Sequence, residues 1–405
     1  MNYLLLEKIQ TENHAKICIF GAGKIGRTWA YDILTCAGFE IDCYCDNKMA
    51  ADTEIREGVK TISFDLLCSN KEDYIIFVAI NEKIQGEIKK QFDENGITNY
   101  VMMGFLFLQE FCESVIGSKD KNKLEQYRFV VDDKEFTKRQ FRVNLGYELN
   151  IENPKTFNEK LQWLKLYACK PEYTSLVDKY EFKRYIEEKL GKEYIIPTLG
   201  VWDNLDDIDW NKLPEKFVLK CTHDSGSVTI CKDKSNFDIE KKCYFLDEML
   251  QHNYYWNCRE VPYKNVKPRI IAEEYMQDGD SETLNVYKVF NFHGVPKLIQ
   301  VIQNDKTPQE AIDYFTPKWE LMKMRQNYPN SRTPLSKPKL LNQMLKLAEM
   351  LSEGFPFLRT DFYIVNEQIY VSEFTFYSDA GMAKFEPEEW DLILGDWMNL
   401  SDLNV

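Results

Sequence analysis

Apolar and polar residues alternate along residues 359–376, RTDFYIVNEQIYVSEFTF, as is typical of two β-strands joined by a polar turn. The pattern predicts strands at Asp361–Val365 and Ile369–Phe376, with the three residues between them as the loop. By itself this stretch fits a surface hairpin with solvated charges equally well. The other segments of the chain therefore decide between the two interpretations.

The length of that loop determines whether two carboxylates meet. With three loop residues, Asp361 lies opposite Glu373, because side chains alternate between the faces of a strand. Arg359 then lies opposite Thr375 on the same face, whereas a two-residue turn would separate the carboxylates. Facing carboxylates repel unless a cation lies between them, and oxygen ligands without His or Cys suit Mg²⁺. The pattern thus predicts a magnesium site and a loop with an odd number of residues.

A glycine-rich loop between two apolar runs predicts a βαβ unit near the N-terminus. Its predicted strands and helix are Ile17–Phe20, Ile41–Cys45 and Arg27–Cys36. The loop reads GAGKIG, and the GxGxxG spacing of Gly21, Gly23 and Gly26 allows a ligand phosphate to approach the backbone. Asp46 ends the second strand, where it can accept hydrogen bonds from a ribose. The alternative is a Rossmann-type fold whose glycines only pack the turn.

Later alternation divides the chain into three regions. Residues 1–118 are predicted to form a Rossmann-like domain that includes a helix at Glu82–Glu94. Residues 119–150 are rich in charge and are predicted to be a connector with helical character. Residues 151–405 form the second predicted domain, which starts with a capping-box pattern at Thr156 and a second helix at Leu176–Leu190.

Five lysines accompany the first two helices of this second domain. Lysines on such helices are usually solvated, although they can also receive an acidic substrate. They are Lys155, Lys160, Lys165, Lys179 and Lys183.

The segment FVLKCTHDSGSVTIC predicts a hairpin with Lys220 near the end of its first strand. The loop of small residues 222–226, which includes Ser225 and Gly226 and is followed by a second strand from Ser227, can lay backbone N–H groups and one cation over phosphates. The alternative is an ordinary lysine at a strand end.

Two further segments carry charged residues in apolar surroundings. RIIAEEYM, residues 269–276, predicts a strand with two adjacent acids at its end. A hairpin over residues 284–302 places Lys288 in mid-strand, where a cation needs a partner. The polar stretch 304–339 contains five prolines and is predicted to be irregular, as a substrate-facing loop or plain surface.

Composition excludes several classes of function. The chain of 405 residues is long enough for more than one domain, and its net charge of −14 argues against a nucleic-acid partner. The early apolar run Tyr3–Leu6 is too short for a signal peptide, and no run approaches membrane-spanning length. Eleven cysteines without a CxxC pair, and only four His, predict reduced packing cysteines in a cytosolic protein without a zinc site.

From about residue 150 onward, the order of these motifs resembles the TupA-like ATP-grasp family of bacterial surface-polysaccharide biosynthesis. The resemblance rests on several specific blocks spread over the second domain. They are NPKTFNEKLQWLKLY, LVDKYEFKRYI, LGKEYIIPTLGVW, LPEKFVLKCTHDSGS, PRIIAEEYM, YKVFNFHGVPKLIQV, FPFLRTDFYIV, YVSEFTFYSDAG and LGDW.

The resemblance implies a chain of mixed α/β and α+β class, in which a Rossmann-like parallel sheet precedes an ATP-grasp domain. Enzymes of this kind hold ATP between two α+β subdomains, form an acyl phosphate from a carboxylate and join it to an amine or another nucleophile. The resemblance therefore implies an ADP-forming ligase that uses ATP and Mg²⁺ to modify a cell-surface polysaccharide precursor.

The resemblance also implies roles for individual residues. Lys288 is expected near the phosphates or the acyl phosphate, and Arg359 is expected to stabilise the transferred phosphoryl group. Glu274 and Met276 would offer backbone groups to the base, and Glu273 its carboxylate. The expected nucleotide-binding residues are Lys220, Ser225, Gly226, Ser227, Glu273, Glu274 and Met276. The expected Mg²⁺ ligands are Asp361, Glu373 and Thr375.

Three positions depart from the family pattern. The loop reads HDSG where HGSG is usual, and Asp224 would repel phosphates unless its carboxylate is turned away. Thr375 stands where an Asn ligand is common, and the segment IQND lacks an expected arginine. These departures bear on whether the chain is catalytically competent.

Three classes of function follow from these features. The first is the ligase, which would act in the cytoplasm on a small molecule or glycan precursor and contact membrane-bound glycan assembly machinery without an integral membrane segment. The second is an oxidoreductase or epimerase that binds a nucleotide sugar or dinucleotide through GAGKIG. The third is a glycosyltransferase-like or non-catalytic component of polysaccharide assembly.

Overall fold

The computed structural model describes residues 5–9, 15–279, 281, 283–401 and 403. The chain divides into two compact units. The first unit contains Met1–Glu148 with Trp256–Arg259, and the second contains Leu149–Tyr255 with Glu260–Val405. The helices of the predicted connector belong to the first unit. Over the described residues, the structure contains no helix with the length and apolarity that crossing a bilayer requires.

A six-stranded sheet organises the first unit, in the order β3-β4-β2-β1-β5-β6. All neighbours pair in parallel except β3 and β4, which are antiparallel. The strands at its centre are strongly apolar and buried, as expected for a parallel sheet. The strands are β1 Lys16–Phe20, β2 Cys43–Cys45, β3 Glu54–Arg56, β4 Val59–Ile62, β5 Tyr74–Val78 and β6 Tyr100–Met102.

Helices connect these strands and follow the sheet. The helix at Glu82–Glu94 has the predicted bounds, and Asn81 caps it by accepting a hydrogen bond from the Lys83 N–H. The helix predicted at residues 27–36 begins with a π-helical turn, Gly26–Ala30, and continues as an α-helix. The α-helices of this unit are Tyr31–Cys36, Phe64–Ser69, Glu82–Glu94, Phe105–Ile116, Lys121–Gln126, Arg128–Val131 and Asp133–Leu145.

The segment Trp256–Arg259 joins the first unit through a buried arginine. The Arg259 guanidinium lies between the rings of Phe136 and Trp256, 4.3 and 4.5 Å from their centroids. Its Nε lies 3.3 Å from the carboxylate of Asp133. Stacking and ion pairing together compensate for burying this charge.

Two antiparallel sheets form the second unit, with strand orders β7-β10-β8-β9 and β13-β12-β11-β14-β15. The helix Leu341–Ser352 packs its apolar side against β11, β12 and β14 of the larger sheet. The strands are β7 Thr198–Trp202, β8 Phe217–Cys221, β9 Val228–Cys231, β10 Ile270–Glu274, β11 Val286–Phe292, β12 Val295–Gln303, β13 Ala311–Phe315, β14 Phe357–Val365 and β15 Gln368–Thr375.

The first helix of this unit confirms the predicted capping box, with Thr156 and Glu159 bonded reciprocally. The single helix predicted at residues 176–190 is wrong. Asp178 interrupts it in an extended conformation and caps a new helix by accepting hydrogen bonds from two backbone N–H groups. The α-helices of this unit are Phe157–Tyr167, Tyr173–Val177, Lys179–Leu190, Ile239–Gln251, Leu341–Ser352 and Glu389–Asp396. The short helix Tyr255–Cys258 belongs to the first unit from Trp256 onward.

The expectation of an irregular stretch at residues 304–339 is also wrong, because β13 lies within it. This strand pairs antiparallel with β12 from Ile299 opposite Phe315 to Gln303 opposite Ala311. The prolines of the stretch all fall outside the strand, so each of its backbone N–H groups remains available for pairing.

The turn between β14 and β15 has two residues, and the predicted three-residue loop is wrong. Val365 pairs with Gln368, and Asn366 and Glu367 both have positive φ, at 49° and 60°, as a type I′ turn requires. The register then shifts between Asp361 and Phe362, which leaves Ser372 as the extra residue of a β-bulge. This bulge supplies the additional residue that the loop lacks.

We expect Glu367→Gly to raise the free energy of unfolding by about 0.5 kcal/mol, because glycine adopts a left-handed conformation without a Cβ penalty. Urea denaturation measures this change. Glu367→Ala is the matched control, since it also removes the exposed ion pair with Lys339 but keeps a Cβ. Equal stabilities of the two variants would contradict the expectation.

Candidate active site

The bulge places the two acids of the hairpin opposite each other. Asp361 pairs with Glu373, and Arg359 pairs with Thr375, which confirms the predicted register despite the shorter turn. Asp361 is buried, whereas the Glu373 side chain is 45% exposed. The pair therefore has one carboxylate fixed inside the protein and one that is open to a ligand.

Arg359 binds the buried carboxylate with two parallel hydrogen bonds. Its Nε donates to Asp361 Oδ1 at 2.7 Å and its Nη2 donates to Oδ2 at 2.8 Å, the fork geometry of a strong ion pair. Burial alone would raise the pKa of Asp361, but the positive charges of Arg359 and Lys288 lower it. Asp361 is therefore held as a carboxylate.

Lys288 is the next polar residue across the sheet from the ion pair of Arg359 and Asp361. It lies opposite Asp361 on β14 and opposite Gln300 on β12, and its Nζ is 3.5 Å from Asp361 Oδ2. Gln300 in turn lies opposite Tyr314 on β13 and donates a hydrogen bond to its hydroxyl at 2.9 Å. One row of polar side chains thus crosses all five strands. We call Tyr314, Gln300, Lys288, Asp361 and Glu373 the polar row.

A second ion network lies on the smaller sheet. Lys220 Nζ is 2.5 Å from Glu273 Oε2, and Lys183 Nζ is 2.6 Å from Glu273 Oε1. Lys183 also donates to the carbonyl oxygen of Ile196 at 2.5 Å. Glu273 is buried, so its carboxylate is fully engaged by two lysines, although the resemblance assigns it to the base.

Charge interactions fix the protonation states of this network. Burial would raise the pKa of Glu273, but Lys220 and Lys183 lower it to about 2. Burial would lower the pKa of Lys220, but Glu273, and to a smaller extent Glu373, raise it. Lys220 and Glu273 are therefore both held in their charged forms.

The loop after β8 turns its acid inward. Asp224 is buried, its Oδ1 accepts a hydrogen bond from Ser227 Oγ at 2.5 Å, and it lies 3.5 Å from Lys179 Nζ. Lys179 also donates to the carbonyl oxygens of Cys221 and Asp224. The carboxylate is thus neutralised inside the loop, while Ser225 and Gly226 are exposed at its tip.

At the end of β10, where the base is expected to bind, part of the backbone already forms hydrogen bonds within the fold. The backbone N–H of Glu274 donates to the carbonyl oxygen of Pro197 at 3.0 Å, so it is already used by the fold. Met276 follows the end of β10 and is half-buried. The roles of Glu274 and Met276 stay predictions.

The GAGKIG loop of the first unit is shaped by packing at two of its three glycines. A Cβ at Gly26 would lie 1.8 Å from the Gly21 carbonyl oxygen, and one at Gly21 would lie 2.7 Å from the Ala79 carbonyl oxygen. Gly23 has nothing within 4 Å of the same position. Asp46 accepts hydrogen bonds from the N–H groups of Ala22 and Lys48, so its carboxylate closes the loop.

We expect Gly26→Ala to lower the free energy of unfolding of the first unit by about 3 kcal/mol or more, because the added methyl group meets backbone. Gly23→Ala should change that free energy by less than about 0.5 kcal/mol. Chemical denaturation of the two variants measures the difference. A loss of stability in Gly23→Ala as large as that in Gly26→Ala would contradict the packing account.

Sequence reasoning missed several residues of the second unit. Lys165 and Lys183 are buried rather than solvated, and the apolar positions around them on the helix were the available signal. Asp379 lies beyond β15 in a left-handed turn, which alternation along the strand does not predict. Over the described residues, no group of three or more His, Cys, Asp or Glu side chains is arranged to hold a metal ion.

Two antiparallel sheets form the framework of the second unit, and they carry a lysine network and a facing acid pair. The chain belongs to the TupA-like ATP-grasp family, whose family model matches residues 159–399. It is accordingly an ATP-dependent ligase by class, and it binds ATP as a substrate.

Solved structures show distant similarity. The D-alanine–D-alanine ligase of Helicobacter pylori is 16% identical, with 60% of this chain and 69% of that chain covered and a TM-score of 0.32. The D-alanine–D-alanine ligase of Bacillus anthracis complexed with ATP is 12% identical, with 89% and 86% covered and a TM-score of 0.31. No curated protein matches the chain. Similarity this low carries no inference about substrates.

Proposed function

We propose that the second unit is an ATP- and Mg²⁺-dependent carboxylate–amine ligase that works through an acyl phosphate. The observation that carries the proposal is the polar row, in which Lys288, Asp361 and Glu373 lie in register on adjacent strands. Arg359 lies beside the row and is bonded to Asp361. Cations and acids in this order suit the transfer of a phosphoryl group to a carboxylate.

The two acids fit Mg²⁺ when ATP supplies the remaining ligands. Mg²⁺ usually takes one or two carboxylates together with waters and substrate phosphates, so a larger protein cluster is unnecessary. Glu373 is accessible, and Asp361 would share an oxygen that already accepts a hydrogen bond from Arg359. Thr375 is the next residue along this face and would contribute a hydroxyl. When bound, the ion neutralises charge on the ATP phosphates.

Lysine and arginine side chains of the site would bind and orient the reacting groups. In this proposal, Lys220 and the exposed tip of the 222–227 loop bind the ATP phosphates. Lys288 binds the carboxylate substrate or its acyl phosphate, since the charge of Asp361 is already matched by Arg359. Arg359 stabilises negative charge on the transferred group. Glu273 keeps Lys183 and Lys220 in place instead of contacting the base.

The substrate is proposed to be a precursor of a cell-surface polysaccharide. The support is the match of residues 159–399 to the TupA-like ATP-grasp family, because the motifs quoted above resemble that family of bacterial surface-polysaccharide biosynthesis. The reaction would take place in the cytoplasm, where ATP is available, and would hand its product to membrane-bound assembly machinery.

An ADP-release screen with isotope detection tests this function. Purified protein with MgATP is offered uronic acids and proteinogenic amino acids as carboxylates, each with an amine partner. The expected result is carboxylate-dependent ADP release, with ¹⁸O from a labelled carboxylate appearing in the inorganic phosphate. ADP release that leaves the phosphate unlabelled would contradict the acyl phosphate, and no release with any pair would contradict the ligase.

A nucleotide sugar or dinucleotide is the second proposal, for the first unit. Gly23 is the observation in its favour, because packing does not explain a glycine there and a close ligand would. Gly21, Gly26 and Asp46 are already explained by the loop itself. Calorimetric titration with NAD and with a uridine diphosphate sugar tests the proposal, and Gly23→Val should abolish any binding that appears.

A further inference from the structure

A strained turn follows the second strand of the hairpin. Residues Ser378–Gly381 form a turn that is kinked at its centre, where Asp379 has φ 50° and ψ 31° and Ala380 has φ 55° and ψ 17°. Each left-handed residue with a Cβ costs about 1–2 kcal/mol. Two in succession persist only where neighbouring groups hold them, and such strain is frequent at functional sites.

Buried side chains from another helix hold this turn. Gln162 Nε2 donates to the carbonyl oxygens of Ala380 and Gly381 at 2.9 and 2.7 Å, and Lys165 Nζ donates to that of Ala380 at 3.4 Å. Gln162 and Lys165 are both fully buried. The turn is therefore fixed from beneath, and these bonds compensate for its backbone strain.

The turn links one exposed carboxylate to Arg359 through a hydroxyl group. Arg359 Nη1 donates to Ser378 Oγ at 3.2 Å, and Ser378 Oγ donates to Asp379 Oδ2 at 3.3 Å. Asp379 is exposed, and among the described residues it forms no ion pair. Its negative charge acts on the Arg359 guanidinium and on the hydroxyls of Tyr314 and Tyr328. An unpaired carboxylate is thus connected through Ser378 to Arg359, the residue that binds Asp361 of the polar row.

We propose that Asp379 binds the nucleophile of the ligation, a cationic primary amine, and accepts its proton. The inference rests on the proposed function, which already includes an amine, and adds the residue that binds this amine and the charge that the amine carries. An ammonium group would pair with the open Asp379 carboxylate, while Arg359 and Lys288 repel it from the phosphates.

In the proposed step, the amine displaces phosphate from the acyl phosphate and forms an amide. The ammonium first loses one proton to solvent, and the lone pair of the neutral amine attacks the carbonyl carbon of the acyl phosphate. A C–N bond forms. The bond between the carbonyl carbon and the bridging oxygen of the acyl phosphate breaks, and its electron pair leaves with the phosphate. The surplus proton on nitrogen passes to Asp379 and then to solvent. Amide and inorganic phosphate are the products.

The variant Asp379→Asn tests the binding of the amine separately from the activation of the carboxylate. Asparagine tolerates the left-handed conformation, so the turn should be retained, and equal melting temperatures of variant and wild type verify this. With MgATP and the best carboxylate from the screen, hydroxylamine traps the acyl phosphate as a hydroxamate without needing a cation site. Glu367→Gln, an exposed acid at the turn of the hairpin, is the matched control.

We expect Asp379→Asn to form hydroxamate within about twofold of wild type, and to form amide from the cationic amine about 10²-fold more slowly with a raised KM for the amine. The Glu367→Gln control should match wild type in both reactions. Equal losses of hydroxamate and amide, or no loss of either, would overturn the role of Asp379. Absence of hydroxamate in the wild-type enzyme would instead overturn the acyl phosphate of the proposed function.

Discussion

Asp361→Asn is expected to lower ATP-dependent ADP release about 10²- to 10³-fold and the free energy of unfolding by about 3–5 kcal/mol. Both effects have one cause, because Asp361 is the buried anion that Arg359 and Lys288 share. An amide retains one acceptor but carries no charge, so Lys288 and Arg359 lose the anion that they share, and Arg359 keeps only the partly exposed Glu373 carboxylate at 3.6 Å. Steady-state kinetics and urea denaturation measure the two effects.

Glu373→Gln is the comparison that separates activity from stability. Its side chain is 45% exposed and lies 3.6 Å from Arg359 Nη2, so its loss should leave the unfolding free energy within about 1 kcal/mol of wild type. Its ADP release should nevertheless fall about as far as that of Asp361→Asn. Full activity in Glu373→Gln would show that the acid pair serves the fold alone.

Glu273→Gln is expected to lower the free energy of unfolding by about 3–5 kcal/mol, because Lys183 and Lys220 would lose their shared counter-ion. The pKa of Glu273 is lowered to about 2 in the folded state, against about 4.3 in an unfolded chain. The network therefore contributes its full stability above about pH 4.3, and this stability is lost as the pH falls towards 2.

Stability measured from pH 6 down to about pH 2 tests this expectation. The wild-type protein should lose the Glu273 contribution on acidification, and Glu273→Gln should show a correspondingly smaller loss. Glu274→Gln, at the exposed neighbouring position of the same strand, is the control and should behave as wild type. Identical acid profiles for wild type and Glu273→Gln would contradict the ion network.

Alternation predicted the elements well but not the turn between them. The facing of Asp361 and Glu373 was predicted from an odd loop, and it arises instead from a two-residue turn with a bulge at Ser372. Both solutions insert one extra residue, so the side-chain pattern cannot distinguish them. The positive φ of Glu367 could not be predicted from its residue type.

Ion partners were the least predictable part of the site. Lysines on a helix are normally solvated, yet Lys183 is buried because an acid on β10, distant in sequence, reaches it. Asp224 looked harmful near phosphates, but Lys179 and Ser227 hold it inside its loop. In contrast, the partner that mid-strand Lys288 requires was foreseen, because burying an unpaired charge is costly.

The acid pair of the polar row, Asp361 and Glu373, is proposed to bind the Mg²⁺ ion that accompanies ATP. Calorimetric titration of ATP with and without Mg²⁺, into wild type and Glu373→Gln, tests it most directly. We predict that Mg²⁺ strengthens ATP binding to the wild-type protein, and that Glu373→Gln keeps ATP binding but loses this strengthening. If Mg²⁺ strengthened ATP binding equally in both proteins, or if the wild-type protein did not bind ATP in the presence of Mg²⁺, this role of the acid pair would be contradicted.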